Sequence, residues 1–450
     1  MMGDRRVAQD SLFYEFRLEE YVPASHLLRS IDRFVDLTGL RAHLSSFYSS
    51  TGRPSVDPEL MIRMLLVGYC YGIRSERRLC EEVHLNLAYR WFCRLGLEGE
   101  VPDHSTFSKN RHGRFAESDV FRHLFEAVVA RCITEGLVGG EGFAVDASLI
   151  EAEANRQRSV TATDWKAPEA ASRSVREYLA VLDENTWGAA TDVQPKFISE
   201  SDPAAQWTAA KDGPAIFAYS DNYLVDLRSA VILDVEASRS VRQAEVGAAK
   251  IMIERTADRF GLKPDRLAAD TAYGSAEMLN WLVEERKIAP HVPVIDKSAR
   301  RDGTFARADF HYDKVADAYV CPGGKSLTTT GTLVNDGATL LYRGSTATCG
   351  QCQLKARCCP NTPARKIPRS LYEGARDLAR SLADTPAFEQ SRRERKKVEM
   401  LFAHLKRILR LDRLRLRGPR GARTEFLLAA TAQNLRKLAK LIPIPAPQPA

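Results

Sequence analysis

One stretch near the carboxyl end, residues 391–417, limits the possible folds more than any other part of the chain. Its apolar side chains recur at helical spacing, so one face of a helix must pack against a core: Val398, Leu401, Phe402, Leu405, Ile408 and Leu409. A second stripe holds Glu399 between Arg395 and Lys406. A lone acid among cations would suit a metal ligand beside a polyanion. A solvated helix with ion pairs four residues apart would show the same pattern, so the rest of the chain has to decide.

The positive charge of the chain is concentrated in the same region. The 450 residues carry a formal net charge of +7, and 44% hydrophobic with 27% charged residues is typical of a globular protein with a large core. Between Arg392 and Lys440, sixteen Lys or Arg residues stand against four acids, a net charge of +12, which leaves about −5 for the remaining residues. Such a concentration of positive charge indicates a nucleic-acid partner.

The first 120 residues are predicted to be mostly helical, with one helix that Asp57 can cap and that Gly72 interrupts. Within them, Asp103 or Ser105 can cap a short helix that bears three cations: Lys109, Arg111 and Arg114. Successive helices followed by a basic helix form an arrangement that can enter the major groove of DNA. Any small helical bundle gives the same pattern, and both interpretations stay open at this point.

From Gly142 onward the pattern changes to strands mixed with helices. Phe143-Ala144-Val145 is predicted to be a buried strand that ends at Asp146, and 266–269 a second one that ends at Asp270. Between them we predict strands at 216–219, 223–227 and 230–235 and a helix from about 242 to 260, with a Ser-Asp-Asn turn between the first two strands. This order predicts a mixed α/β sheet.

Two of the predicted strands deliver an aspartate at their carboxyl ends, where open α/β sheets place their functional sites. Asp146 or Asp270 alone would be interpreted as a helix cap or a turn residue. Together with Glu399 on the later basic helix, they indicate a site built from three carboxylates.

Five of the nine cysteines are close together within 296–372, a segment of short strand-like pieces rich in Gly and Thr. One Cys-x2-Cys pair with two further cysteines suits tetrahedral structural zinc, and the predicted ligands are Cys321, Cys349, Cys352 and Cys358. Cys359 could replace Cys358, and a histidine such as His311 could replace a cysteine. Free thiols on a loop-rich insertion are the alternative. The odd number of cysteines argues against a disulfide framework.

Neither a secretory signal nor a membrane span is expected. The first ten residues, MMGDRRVAQD, have no apolar segment typical of a signal peptide. The longest apolar run, from Met64 to Tyr71, is too short to cross a bilayer. We therefore expect a cytoplasmic protein.

With these residues assembled, the chain resembles the DDE transposases of bacterial insertion sequences. It is most similar to the group with an InsH-type helical N-terminal domain and a Tyr-x2-Arg-x3-Glu-x6-Lys signature. Arg395, Glu399 and Lys406 match this signature, and Arg392 stands at the tyrosine position. GFAVDAS carries the first Asp of the family, Asp146, and AADTAYGS carries the second, Asp270.

The resemblance implies an RNase H-like catalytic core, with Asp146, Asp270 and Glu399 as ligands of Mg²⁺ or Mn²⁺, in a pair of ions. It also implies that the substrates are double-stranded DNA: the inverted-repeat ends of the element and the target DNA. Arg395 and Lys406 would contact phosphates of the cleaved end. Transposition joins two ends, so a dimer on DNA is expected.

The predicted protein is therefore an insertion-sequence transposase that binds inverted repeats, cleaves DNA with metal ions and joins the 3′ ends to target DNA. The expected domains are a helical DNA-binding or dimerisation domain at 1–120, the first part of an RNase H-like core at 138–295, a cysteine-containing insertion at 296–372, and the Glu helix with the basic end of the core at 373–440. Two alternatives stay open: an RNase H-like nuclease without strand transfer, and a catalytically decayed DNA-binding repressor.

Overall fold

The computed structural model describes residues 16–49, 51, 55–209, 213–295, 300, 302–335 and 337–443. The helices in chain order are α1 (Leu18–Tyr21), α2 (Leu27–Asp32), α3 (Leu40–Leu44), α4 (Pro58–Tyr71), α5 (Glu76–Leu85), α6 (Leu87–Phe92), α7 (His104–His112), α8 (Arg114–Glu117), α9 (Val120–Thr134), α10 (Arg173–Ala180), α11 (Arg242–Phe260), α12 (Ala276–Asn280), α13 (Thr346–Gly350), α14 (Lys355–Cys358), α15 (Glu373–Ala383), α16 (Pro386–Arg407) and α17 (Gly418–Leu441).

The strands, in chain order, are β1 (Gly142–Glu151), β2 (Ser159–Thr161), β3 (Phe197–Ser199), β4 (Gln206–Ala209), β5 (Ala215–Asp226), β6 (Ile232–Arg239), β7 (Arg266–Ala268), β8 (Ala289–His291), β9 (His311–Asp313), β10 (Ala318–Val320), β11 (Ser326–Leu327), β12 (Leu333–Val334), β13 (Thr339–Arg343) and β14 (Lys366–Ser370). The predicted mixed α/β fold with a helical N-terminal region is confirmed.

The chain divides into two compact units. Unit 1 comprises the described residues of Met1–Gly139, Ala147–Gly261 and Val398–Ala450, and unit 2 those of Gly140–Asp146 and Leu262–Lys397. The long strand β1 and the long helix α16 each contribute residues to both units.

Unit 1 is organised around α17, in which every residue from 424 to 435 is buried. This helix packs against α2, α4, α9 and α10 and against strand β6. Its polar side chains are hydrogen-bonded inside this core: the Asn434 amide donates to Ile232 O at 2.8 Å, and its oxygen accepts from Ile232 N at 3.0 Å. Helices α2, α4 and α9 of the N-terminal region and strand β6 therefore share one core through α17.

Helix α4 begins and ends as the sequence predicts. The side chain of Asp57 caps it by accepting a hydrogen bond from the backbone N–H of Glu59 at 3.0 Å. Gly72 ends it with φ of +68°, in the left-handed region, which glycine enters without a steric penalty. The predicted basic helix is shorter than expected. It ends at His112, so that Arg114 lies on the separate one-turn helix α8.

The predicted turn at Ser220-Asp221-Asn222 is wrong. A single strand, β5, runs through these residues and pairs antiparallel with β4 and β6. Asn222 donates hydrogen bonds to Ser238 Oγ at 2.9 Å and to the backbone oxygen of Glu236 at 2.9 Å. Pairing with β6 outweighs the local turn preference of this polar segment. The backbone hydrogen bonds to β6 and the bonds of the Asn222 side chain stabilise the extended strand.

Unit 2 contains a short parallel sheet in which β1 pairs with β7 and β7 with β8. The predicted end of the first strand at Asp146 is wrong, since β1 continues to Glu151. The continuation is held in unit 1, where Glu151 N donates to Asp412 O at 3.1 Å and Leu414 N donates to Glu151 O at 2.8 Å. Asp146 consequently lies within a strand rather than at its end.

The cysteine-bearing part of unit 2 is built from two small antiparallel sheets, β11-β10-β9 and β12-β13-β14. One cluster of five buried side chains forms its core: Phe310, Tyr319, Leu327, Tyr342 and Ile367. The partly buried Cys321 and Cys358 pack against this cluster. So small a core buries little apolar surface, and small cores of this kind are often stabilised by disulfides or metals.

Candidate active site

Asp146 and Asp270 occupy matching positions on neighbouring parallel strands of unit 2. In the β1–β7 ladder Ala144 pairs with Ala268, and each aspartate follows two residues later. Side chains two residues apart along a strand lie on the same face, and neighbouring strands are about 4.8 Å apart. The two carboxylates are therefore neighbours on one face, although β7 ends formally at Ala268 and Asp270 continues with extended backbone, φ −84° and ψ −179°.

Asp270 also caps the turn that follows it. Its Oδ1 accepts a hydrogen bond from the backbone N–H of Ala272 at 2.8 Å, at the start of the single helical turn Thr271–Tyr273. The cap fixes the direction of the carboxylate, so the residue is at once a cap and a candidate ligand. The sequence had offered these two interpretations as alternatives, and the local geometry allows both.

Arg395 contacts the first aspartate directly. Its Nη1 donates a hydrogen bond to Oδ2 of Asp146 at 3.0 Å, and the two side chains are 23% and 18% exposed. A charge-assisted bond in this partly buried setting orients the carboxylate more firmly than water would. Within unit 2 the fold thus brings together three of the predicted site residues: Asp146, Asp270 and Arg395.

The first half of α16 is anchored to the strands of unit 2 by contacts that the sequence analysis missed. Ser391 Oγ shares a hydrogen bond with His291 Nδ1 at 2.7 Å and accepts one from Arg266 Nε at 3.1 Å. Arg266 also forms an ion pair with Glu394 at 3.3 Å. Burial lowers the pKa of His291, and the charge of Arg266 lowers it further. The sequence contained one signal that could have identified Ser391. It precedes Arg395 by one helical turn, so both residues lie on the same side of the helix.

Glu399 and Lys406 belong to the second half of α16, in unit 1. Glu399 is exposed, one helical turn after Arg395, and Lys406 is half-buried. Between them Phe402 stacks on Tyr223 of β5, with ring centroids 4.7 Å apart. Burial lowers the pKa of Lys406, while the negative charges of Asp221 and Asp412 oppose this. The predicted apolar face is confirmed except at Ile408, which follows the end of α16 and is 50% exposed.

A second buried group near Lys406 also escaped the sequence analysis. Asp221 of β5 is fully buried, and neither of its carboxylate oxygens has a hydrogen-bond partner among the described residues. Burial raises its pKa well above the usual range, and Tyr223 and Lys406 offset part of this effect. Because the sequence analysis interpreted the polar Ser-Asp-Asn run as a turn, it did not identify Asp221 as a buried residue.

The predicted N-terminal cations differ in their exposure. Lys109 is exposed, Arg111 is buried, and Arg114 is intermediate. Arg111 forms an ion pair with Glu76 at 2.9 Å, and the guanidinium of Arg114 lies 4.3 Å from the ring centroid of Tyr48. Of the three, Lys109 presents its charge to solvent most fully.

The predicted metal ligands are not arranged around a common point. Among the described residues, no group of three or more His, Cys, Asp or Glu side chains is arranged so that it could hold a metal as it stands. The cysteines of unit 2 nevertheless share one cavity, and all nine cysteines are free thiols. Burial, with the neighbouring Cys359 and Cys349, raises the pKa of Cys358 to about 11.

The structure also bears on the expectation that no segment crosses a membrane. No helix in the described ranges is both long enough and apolar enough to span one. Their most apolar long helix, α17, is built into the core of unit 1.

Comparison with known protein families gives two matches. A family described as Transposase domain (DUF772) matches residues 16–113, which hold α1–α7. A family described as Transposase DDE domain matches residues 320–439, which hold the cysteines of unit 2 and the Arg395, Glu399 and Lys406 signature. The fold and these matches define a protein with transposase domains at both ends of the chain.

The resemblance to a DDE transposase of an insertion sequence is therefore confirmed. The DDE domain is that of a DNA-cleaving transposase enzyme, and such enzymes use divalent metal ions and act on DNA. The matched ranges include Glu399 but neither Asp146 nor Asp270.

Proposed function

We propose that this chain binds the terminal inverted repeats of its own insertion sequence, cleaves the DNA there by metal-dependent phosphodiester hydrolysis, and joins the 3′ ends to target DNA. The observation that carries the proposal is the pair of aspartates at matching positions of two parallel strands, with Arg395 of α16 on the first of them. Strands β1, β7 and β8 with their flanking helices are consistent with an RNase H-like core, which we include in the proposal.

The proposed metal ligands are Asp146, Asp270 and Glu399. Carboxylate oxygens are hard donors that suit Mg²⁺ or Mn²⁺, so the chemistry of the donor set fits these ions. When bound, a pair of such ions would activate water or a DNA 3′-hydroxyl and stabilise charge on the leaving oxygen. The cap on Asp270 and the hydrogen bond on Asp146 limit the freedom of two of these side chains before any ion arrives.

The cations of the chain would hold the DNA. Arg395 has five N–H donors, so it can bond a phosphate as a fork while one of them stays on Asp146. Lys406 would act as a point charge on the same end, and burial of its stem limits where that charge can lie. Lys109 and Arg114 are the proposed N-terminal contacts, while the buried ion pair of Arg111 gives it a structural part in this proposal.

The proposed division of labour follows the chain. Residues 1–120 would recognise DNA ends or form a dimer contact, 138–295 and 373–440 would form the catalytic core, and 296–372 would be an insertion within it. Because two ends must be joined, we propose a dimer on DNA. The substrate is the chromosome and its insertion sequence, so the cytoplasm is the proposed place of action.

A direct test uses the DNA that flanks the gene, on a supercoiled plasmid, with purified protein and Mg²⁺. We expect cleavage at defined ends and joined products. Asp146→Asn and Glu399→Gln should bind the same DNA but cleave it at least about a hundredfold more slowly, because each removes a ligand charge. Glu389→Gln on the same helix is the matched control, since Glu389 forms ion pairs with the exposed Arg392 and Arg393.

Two outcomes would replace the proposal. Cleavage without joined products would favour a nuclease that lacks strand transfer. Binding without metal-dependent cleavage would favour a decayed repressor, and the exposed Arg392 at the signature tyrosine position would then be the first residue to restore to tyrosine. Cleavage by Glu399→Gln within tenfold of the unchanged chain would refute the assignment of that ligand.

A further inference from the structure

Five cysteines of unit 2 line one small cavity. The cavity has a volume of about 40 Å³, and the cysteines in its wall are Cys321, Cys349, Cys352, Cys358 and Cys359. They come from three separate pieces of chain: the turn after β10, the segment from α13 into the next loop, and the end of α14. All five are free thiols that the proposed DNA chemistry does not use. Such a gathering of buried and partly buried thiols requires an explanation.

The first cysteine sits in a turn that is shaped around its sulfur. In Cys321-Pro-Gly-Gly-Lys325, the backbone N–H of Gly324 donates to Cys321 O at 2.8 Å, and that of Lys325 donates to Cys321 Sγ at 3.3 Å. The hydrogen bond from Lys325 fixes the direction of this sulfur within the turn. The thiolate is the form that binds metal.

The second pair follows the same short spacing. The backbone N–H of Cys352 donates to Cys349 O at 3.4 Å, which closes the turn Cys349-Gly-Gln-Cys352. A turn of this length presents two sulfurs on one side, as the Cys-x2-Cys half-sites of tetrahedral zinc do.

Two glycines leave room for the sulfurs. A Cβ on Gly323 would lie 3.7 Å from Cys321 Sγ and 3.9 Å from Cys352 Sγ, so these two thiols approach the same point from different chain segments. A Cβ on Gly344 would lie only 2.8 Å from Cys349 Sγ. Side chains at these two positions would fill the space between the thiols, and their absence keeps that space open.

The charges around the cavity favour an anionic centre. Lys325, Lys355 and Arg365 line the same cavity as the thiols. Arg365 is held in place by hydrogen bonds to Cys358 O and Phe305 O, both at 2.8 Å. Four thiolates on one Zn²⁺ carry a net charge of −2, which these cations would balance.

The two small sheets around the thiols have so small an apolar core that we expect a cross-link to stabilise them. Its apolar core consists of five buried side chains, and Cys321 and Cys358 are among the groups packed against it. Cores of this size usually require a disulfide or a structural metal to be stable. The free thiols leave the metal as the candidate.

We propose that Cys321, Cys349, Cys352 and Cys358 hold one structural Zn²⁺ that ties the turn after β10 to the α13–α14 segment. The thiols do not yet meet around a common point. Rotation about χ1 moves each sulfur between three staggered positions, and the proposal requires all four sulfurs to turn into the cavity when the metal binds. Cys359 forms part of the wall. The site is separate from the carboxylates and does not depend on the proposed DNA chemistry.

The test measures metal directly on the full chain, purified without chelator. We expect about one zinc per chain by elemental analysis, and exchange for Co²⁺ should give the absorption of tetrahedral thiolate cobalt. Cys352→Ser should lose the metal, while Cys359→Ser should keep it. Cys80→Ser is the matched control, since Cys80 lies on α5 in unit 1.

A variant that keeps every thiol separates the site from general damage to the fold. Gly344→Ala places a methyl group against Cys349 Sγ and should lower zinc retention at least about tenfold under a competing chelator. Gly350→Ala, where the new methyl group meets nothing within 4 Å, should retain zinc normally.

Zinc-free wild-type chain with no cobalt thiolate bands, and with the same melting temperature in chelator, would overturn the proposal. Retention of zinc by Cys358→Ser but not by Cys359→Ser would overturn the choice of the fourth ligand. Because the readout is metal content, either result leaves the DNA-cleavage proposal to its own test.

Discussion

Arg395 donates a hydrogen bond to Asp146 at 3.0 Å, although 249 residues separate the two in the chain. The sequence analysis had assigned Arg395 only to contacts with DNA phosphates. The structure instead shows it first as the partner of a carboxylate, in a setting where both side chains are largely shielded from solvent. A guanidinium with five donors can serve both groups at once, so we infer that this contact links DNA binding to the position of Asp146.

Replacement of Arg395 by lysine should separate these two roles. Lysine keeps the charge but loses the planar fork, so DNA binding should fall only a few-fold while cleavage falls at least about tenfold. Binding and cleavage of a labelled end would be measured on the same preparation. Arg393→Lys is the control, because Arg393 is 70% exposed and pairs with Glu389. Equal losses of binding and cleavage would show that Arg395 acts on DNA alone.

Replacement of Lys406 by alanine should weaken binding of the DNA end and flatten its salt dependence. Each lysine on a phosphate releases about one counterion, so the slope of log affinity against log salt should fall by about 1. The measurement is a titration of labelled end DNA at several salt concentrations. Lys263→Ala, at an exposed lysine outside the basic region, should leave the slope unchanged. An unaltered slope for Lys406→Ala would argue against contact with phosphate.

The ion pair between Arg74 and Glu425 should be important for the stability of unit 1. Glu425 is fully buried, hydrogen-bonded to Arg74, and accepts further bonds from the backbone N–H groups of Arg415 and Leu416, both at 2.6 Å. Arg74→Ala leaves this carboxylate without its cation, so the free energy of unfolding should fall by about 3–5 kcal/mol.

The measurement for this pair is urea denaturation followed by circular dichroism. The control is Arg78→Ala, which removes the exposed i,i+4 pair with Glu82 and should cost less than about 1 kcal/mol. Equal costs for the two variants would mean that the buried pair contributes no more than a surface pair.

Asp202 should make stability depend on pH in an unusual direction. Burial raises its pKa to about 6, although the Tyr219 hydroxyl donates to it at 2.5 Å and the N–H of Gly418 at 3.3 Å. A carboxyl whose pKa is higher in the folded state favours folding most fully when protonated. Its contribution is therefore complete below its unfolded pKa, near 3.9, and is lost as the pH rises through about 6.

Asp202→Asn should remove this part of the pH dependence. The difference in free energy of unfolding between Asp202→Asn and the unchanged chain should shift by about 2.4 kcal/mol between pH 4 and pH 8, in favour of the variant at pH 8. Denaturation curves across this range would measure it. Asp258→Asn, at an exposed aspartate of α11, is the control. A constant difference across the range would show that Asp202 titrates normally.

Much of the fold could be predicted where local pattern and burial agree. Helix α11 has the predicted bounds, and Asp57 and Gly72 begin and end α4 as expected. The polar run Ser220-Asp221-Asn222 was predicted wrongly, because its turn chemistry is local while its pairing with β6 is not. Strand β1 was predicted too short for the same reason, since its continuation bonds to residues near Asp412.

The sequence by itself determined the helical N-terminal region, the mixed α/β class, the concentrated positive charge and the residues proposed for the site, because spacing and side-chain chemistry are properties of short segments. Only the tertiary structure decided the matching register of Asp146 and Asp270, the bond from Arg395 to Asp146 and the common cavity of five thiols. Each of these relationships joins distant segments. Their geometry depends on which strands pair and which helix packs on them, and no local pattern encodes that choice.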